Sequence, residues 1–121
     1  GSMFKTAVQV RKKLKEIGYN CTLVNARFIK PFDTGCLHEL AKDHRLVVTL
    51  EENVKKGGFG EQIESYVTEN ALPYKVLIAA IPDEYVEHGN VDILKKELRI
   101  DADSVSQRIL EKYNSICKEV L

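Results

Sequence analysis

The sequence carries no net charge, because 18 lysines and arginines stand against 18 aspartates and glutamates. Nucleic-acid binding draws on a basic surplus on some face. The densest basic run, Arg11-Lys12-Lys13 with Lys15, reads more simply as the wet side of a helix, so no nucleic-acid partner is expected. No apolar run approaches the roughly 20 residues of a membrane span, and no secretory signal is visible, so no membrane partner is expected either. Cysteine is scarce. Cys21, Cys36 and Cys117 are odd in number and widely spaced, which argues against a disulfide framework or a zinc site. They are expected as reduced thiols of an intracellular protein, packed as small hydrophobes. No segment repeats and none is of low complexity.

What is present is an ordinary globular balance, 44% apolar and 30% charged over 121 residues, enough for one core. Gly1-Ser2 ahead of Met3 reads as a remnant of tag removal, with residues 3–121 as the single domain. Phe4, Ala7, Val10, Leu14 and Ile17 recur at helical spacing, and Gly18 supplies the left-handed residue that stops the helix. Cys21–Val24 is expected as a short strand. Asp33 can cap a helix that buries Leu37, Leu40 and Ala41. Leu46–Leu50 and Val76–Ile81 are near-continuous apolar runs, the pattern of strands covered on both faces of a parallel sheet. Between them Ile63, Tyr66 and Val67 mark a third helix, which Asn70–Pro73 breaks. Asn90 can cap a short helix carrying Ile93, Leu94 and Leu98; Asp101 can cap a last one with Val105, Ile109, Tyr113 and Ile116 inward. Strands alternating with helices predict a three-layer α/β/α domain with a mainly parallel open sheet. The first helix has no strand before it, so either the sheet has only three strands of its own or an upstream strand is missing.

Three strand ends carry polar, backbone-shaping residues: Arg27 and Lys30 running to Asp33, Glu51-Glu52 before Gly57, Gly58 and Gly60, and Asp83 before His88. In an open parallel sheet these ends form one edge, where ligands and partner domains dock. Each feature has two readings. The glycine loop can present amides to an anion, or it can be a tight turn that lets helix and strand pack. Glu51 and Glu52 could do acid–base work, or one could cap amides of the glycine loop while the other faces a neighbouring domain. Arg27 and Lys30 could hold a phosphate or make salt bridges across a domain interface. His38 and His44 are too far apart along one helix for a metal pair, and His88 reads as a hydrogen-bonded turn residue. No metal ligand set and no catalytic residue is assigned.

Taken in order, Asn25-Ala26-Arg27-Phe28-Ile29-Lys30-Pro31-Phe32-Asp33, Thr49-Leu50-Glu51-Glu52-Asn53, Gly57-Gly58-Phe59-Gly60 and Pro82-Asp83-Glu84-Tyr85-Val86-Glu87-His88-Gly89 resemble the C-terminal, transketolase C-terminal-like domain of the 1-deoxy-D-xylulose-5-phosphate synthases. The tail Leu98-Arg99-Ile100-Asp101-Ala102 also matches. Of the two readings of the first helix, the resemblance implies the second, that an upstream strand is missing. The resemblance implies a transferase that condenses pyruvate with glyceraldehyde 3-phosphate, loses carbon dioxide, and feeds isoprenoid, thiamine and pyridoxal synthesis. It implies thiamine diphosphate and magnesium held by other domains, and none bound by this part, which would be inactive and structural. Its partners would be the remaining domains of the same polypeptide and the second subunit of a homodimer. The setting would be a bacterial cytoplasm, although plastid forms of the family exist. The same architecture occurs in transketolases and in the β subunits of 2-oxoacid dehydrogenases. A stand-alone regulatory ligand-binding module is the remaining alternative.

Overall fold

A computed structural model describes residues 2–24, 34–54, 58–81 and 91–120. The order of elements is α1 (Ser2–Glu16), α2 (Thr34–Leu40), β1 (Leu46–Val54), α3 (Phe59–Glu69), β2 (Lys75–Ile81), α4 (Val91–Glu97) and α5 (Ala102–Val120). β1 and β2 pair in parallel, with Leu46 opposite Lys75 and Leu50 opposite Ala79. Helix α1 packs on β1 and α5 on β2, the two helices lying against each other, while α3 packs against both strands.

The sheet is covered on both faces, as the continuous apolar runs predict. One core gathers Met3, Val10 and Leu14 of α1 with Ala79, Ile100 and Val105, and Leu50 packs against it. The other gathers Leu37 of α2, Ile63 and Val67 of α3 and Tyr74, with Val47 and Val76 packed on it. Successive strand residues point to opposite faces, so Val47 and Leu50 serve different cores. Tyr74 joins α2 to this second core, since its hydroxyl donates to the carbonyl of Leu37 at 2.6 Å.

Three helix ends share one device. After α1, the Tyr19 N–H reaches Leu14 O at 2.9 Å and the Gly18 N–H reaches Lys15 O at 3.1 Å, with Gly18 at φ 92°. This is the Schellman pairing, which uses up the last free carbonyls of a helix. After α3, Leu72 and Ala71 bond Val67 O and Thr68 O; after α4, Ile100 and Arg99 bond Lys95 O and Lys96 O. Ala71 sits at φ 51° and Arg99 at φ 59°, in the left-handed region that normally costs a side chain about 1–2 kcal/mol. At the start of α5, Asp101 Oδ2 accepts the Ser104 N–H at 3.3 Å, the N-cap role that the sequence suggests.

Several expectations are corrected. Cys21–Val24 is not a strand; among the described residues the sheet has two strands, not three. Side chains anchor this segment instead: Cys21 packs against the α1–α5 core, and Thr22 Oγ1 hydrogen-bonds His44 Nε2 at 2.9 Å. Four residues also offer few ladder bonds. Phe4 and Ile17 are exposed, and the buried stripe of α1 is Met3–Ala7–Val10–Leu14. That stripe turns toward α5, where Lys13 pairs with Asp103 at 2.7 Å. Ile93 on α4 is also exposed. None of the three cysteines is in a disulfide, but Cys117 is exposed rather than packed. β1 continues four residues beyond its apolar run, through Glu51 to Val54. Asp33 and Asn90 lie outside the described residues. No helix among the described residues is long and apolar enough to cross a membrane.

Candidate functional site

The C-terminal end of β1 is the best-defined part of the strand-end edge. From Leu50 to Val54 the strand uses four residues where β2 uses two, Ala79 to Ile81. Such a bulge bends the strand and re-aims its side chains. It begins at Glu51, whose side chain turns back onto the start of α3. Glu51 Oε1 accepts the Phe59 N–H at 2.6 Å and Oε2 the Gly60 N–H at 3.0 Å. A helix start leaves its first N–H groups without intrahelical partners. The preceding residue, Gly58, is extended (φ −80°, ψ −179°) and has no side chain to cap them. A carboxylate from the neighbouring strand therefore replaces the local N-cap, and its charge also favours the positive end of the helix.

Gly60 explains why glycine follows. A Cβ there would lie 2.5 Å from Thr49 Oγ1, 2.7 Å from Glu51 Oε2 and 2.9 Å from Ile78 Cγ1. The helix backbone therefore rests directly on both strands. Gly60, Glu51 and Thr49 are buried, and Thr49 Oγ1 has no hydrogen-bond partner among the described residues. Such an orphan hydroxyl is uncommon in a close-packed interior.

Of the residues that the sequence places on this edge, the structure brings together Glu51, Gly58 and Gly60. Glu52 lies next in β1. Arg27, Lys30, Asp33, Gly57, Asp83 and His88 lie outside the described residues. Of the two roles open to the paired glutamates, Glu51 takes the capping one. Sequence reading missed Thr49 and Ile78 as the other contacts of Gly60; the only signal was a threonine inside an otherwise apolar run. His38 and His44 are apart in function as well as in sequence. His38 Nε2 meets the Tyr66 hydroxyl at 2.8 Å, and His44 Nδ1 meets Asp43 Oδ1 at 2.6 Å. Among the described residues no three His, Cys, Asp or Glu side chains are grouped to hold a metal ion.

Fold and edge together define an α/β domain built on parallel strands, with a glycine turn at a strand end locked by a strand carboxylate. The chain belongs to the family of transketolase C-terminal domains, whose model matches residues 1–105. It is 49% identical over 110 residues to a 1-deoxy-D-xylulose-5-phosphate synthase of Lachnoclostridium phytofermentans, covering 90% of this chain and 18% of that protein. A protein of the same name from Alkaliphilus oremlandii is 33% identical over 96% of this chain and 19% of its own length. One from Dehalococcoides mccartyi is 41% identical over 80% of this chain and 16% of its own. The chain thus spans about a fifth of the length of these relatives.

The resemblance brings thiamine diphosphate and magnesium into view. A diphosphate needs free donors, and the Phe59 and Gly60 amides at the start of α3 are already held by Glu51. The described residues of this edge do not fit that group.

Proposed function

We propose that residues 3–121 are the C-terminal domain of a 1-deoxy-D-xylulose-5-phosphate synthase, a transferase joining pyruvate to glyceraldehyde 3-phosphate with loss of carbon dioxide. The domain is a structural wall of the enzyme. The reactive coenzyme, thiamine diphosphate with magnesium, is housed on other domains of a cytoplasmic homodimer. The observation that carries this reading is the match of nine-tenths of the chain, at 49% identity, to a protein of that name. The Glu51 lock supports the structural role, because it spends the anion-binding amides on holding α3 to β1. The strand-end edge, with Arg27, Lys30, Asp33, Glu52, Gly57, Asp83 and His88 in the sequence around it, serves as the interface to the neighbouring domain. Interfaces between domains of one chain are more polar than obligate ones, so a charged edge suits such a contact.

A chimera tests the reading. The matching segment of a relative is replaced by this chain and ketose phosphate formation is measured. Activity with the graft and none after deletion of the segment is the expected result; an inactive but folded graft argues against it. The 121-residue chain alone should make no ketose phosphate, and product from it would overturn the structural role.

A further inference from the structure

The face of α5 away from the Glu51 lock carries a separate feature. A shallow groove runs between α5 and β2, lined by Leu77, Arg99, Arg108, Glu111, Lys112 and Ser115. Arg108 and Lys112 are one helical turn apart and point the same way. Three cations and one carboxylate leave the groove with two positive charges in excess. Glu111 is engaged with Gln107, whose Nε2 donates to its Oε1 at 3.3 Å. Among the described residues no carboxylate forms an ion pair with Arg99, Arg108 or Lys112.

The Arg108 side chain is held rather than left to swing. Arg108 Nη1 donates to Arg99 O at 2.9 Å, and Nη2 to Ile78 O at 3.3 Å. The guanidinium is thus fixed between the α4–α5 corner and β2, with donors to spare. Burial, and then the charge of Arg99, lower the pKa of Arg108, so the like charges face each other at a cost. Arg99 also occupies a left-handed position at φ 59°, where glycine would be easier; Gly18 does the same job after α1. Ala71 shares that backbone position after α3. Cations held close together, with the one carboxylate of the groove turned to Gln107 rather than paired with them, are a cost that a bound anion would offset.

We propose that this groove binds a phosphate group. Arg99 and Lys112 are its mobile contacts and Arg108 its fixed floor, and the excess of two positive charges matches a phosphate dianion. Planar guanidinium forks suit phosphate oxygens, and Leu77 and Ser115 leave room for the body of a small phosphorylated molecule. The groove shares no lining residue with the glycine turn, so it stands or falls independently of the proposed role in the synthase.

Inorganic phosphate is the probe, titrated into the full 121-residue chain at constant ionic strength with chloride as the balance. The readout is the backbone amide spectrum. Saturable millimolar shifts at residues 99, 108, 112 and 115 are expected. Arg99→Gly is the decisive variant, since it relieves the left-handed strain while removing one contact. It should melt higher than the parent yet bind phosphate about tenfold more weakly, the scale of one charge-assisted contact. Lys112→Gln should weaken binding without altering the melting temperature. The absence of saturable shifts, or an Arg99→Gly variant that titrates like the parent, would overturn the site.

Discussion

Glu51 and Gly60 hold one another in place: Oε2 of the glutamate accepts the glycine N–H at 3.0 Å, and that same oxygen lies 2.7 Å from where a Cβ would stand. The hydrogen bond and the missing side chain are one arrangement, because the carboxylate reaches the amide only if nothing projects from it. Thr49 and Ile78 close the other sides. The end of β1, the middle of β2 and the first turn of α3 are thereby fixed together.

Gly60→Ala tests that closeness. In an exposed helix the change to alanine is favourable by about 1 kcal/mol. Here two stiff β-branched side chains and a buried carboxylate must give way, so a loss of about 1–3 kcal/mol is expected. Urea unfolding measures it, and an increase in stability would refute the packing argument.

Glu51 is tested by a graded pair. Glu51→Gln keeps one acceptor for the Phe59 N–H but turns an amide against the Gly60 N–H; a cost of about 1–2 kcal/mol is expected. Glu51→Ala leaves both N–H groups without an acceptor and should cost more, about 2–3 kcal/mol. Amide exchange at positions 59 and 60 should quicken in the same order. Equal effects from both variants would mean that the carboxylate does not cap the helix.

Ala71→Gly is expected to stabilise. The alanine sits at φ 51° in the Schellman turn after α3, and glycine removes the steric penalty while adding freedom to the unfolded chain. The balance is a gain of about 0.5–1 kcal/mol. Thermal melting reads it, and a lower midpoint would contradict it.

Tyr74→Phe removes the donor to Leu37 O and should cost about 1–2 kcal/mol, since that carbonyl loses a buried partner. Burial, followed by the nearby Cys36, raises the Tyr74 pKa. A phenol whose folded pKa lies above its unfolded one adds stability that is complete below the unfolded value of about 10. That stability is lost as pH rises through the folded value. The parent should therefore lose stability in strong alkali more steeply than Tyr74→Phe does.

Asp101 works in the opposite direction. Burial pushes its pKa up, but hydrogen bonds from Ser104, with a smaller contribution from Lys96, outweigh it and leave the pKa lowered. An unfolded chain then binds more protons than the folded one across that interval. The stability from this cap is complete above the unfolded value of about 4 and vanishes as pH falls through the folded one. Asp101→Ala should cost about 1 kcal/mol near neutrality and nothing in strong acid. Urea midpoints across acid pH would show the two curves converging, and parallel curves would exclude the linkage.

Much of this was legible before folding. Val47–Leu50 and Val76–Ala79 declare a doubly covered parallel pair, because both faces need apolar residues. Gly18 announces the end of α1 through the left-handed turn that only glycine makes cheaply, and Asp101 announces the start of α5. Gly60 after β1 marks a close approach of helix backbone to strand side chains.

Tertiary structure decided the rest. Periodicity cannot tell Phe4 from Met3 as the inward residue of α1; the position of α5 does, through Lys13 and Asp103. Nothing local tells Cys21–Val24 to go without ladder partners. Adjacent glutamates are equivalent on paper, and the bulge at the end of β1 chooses Glu51 to reach back to α3. Arg99 and Arg108 lie nine residues apart and meet only because the α4–α5 corner folds against β2. Local order is set by short-range sterics and patterning, which the sequence contains. The partner of a charged side chain is set by which elements the core brings together, and that is fixed only when the chain is closed.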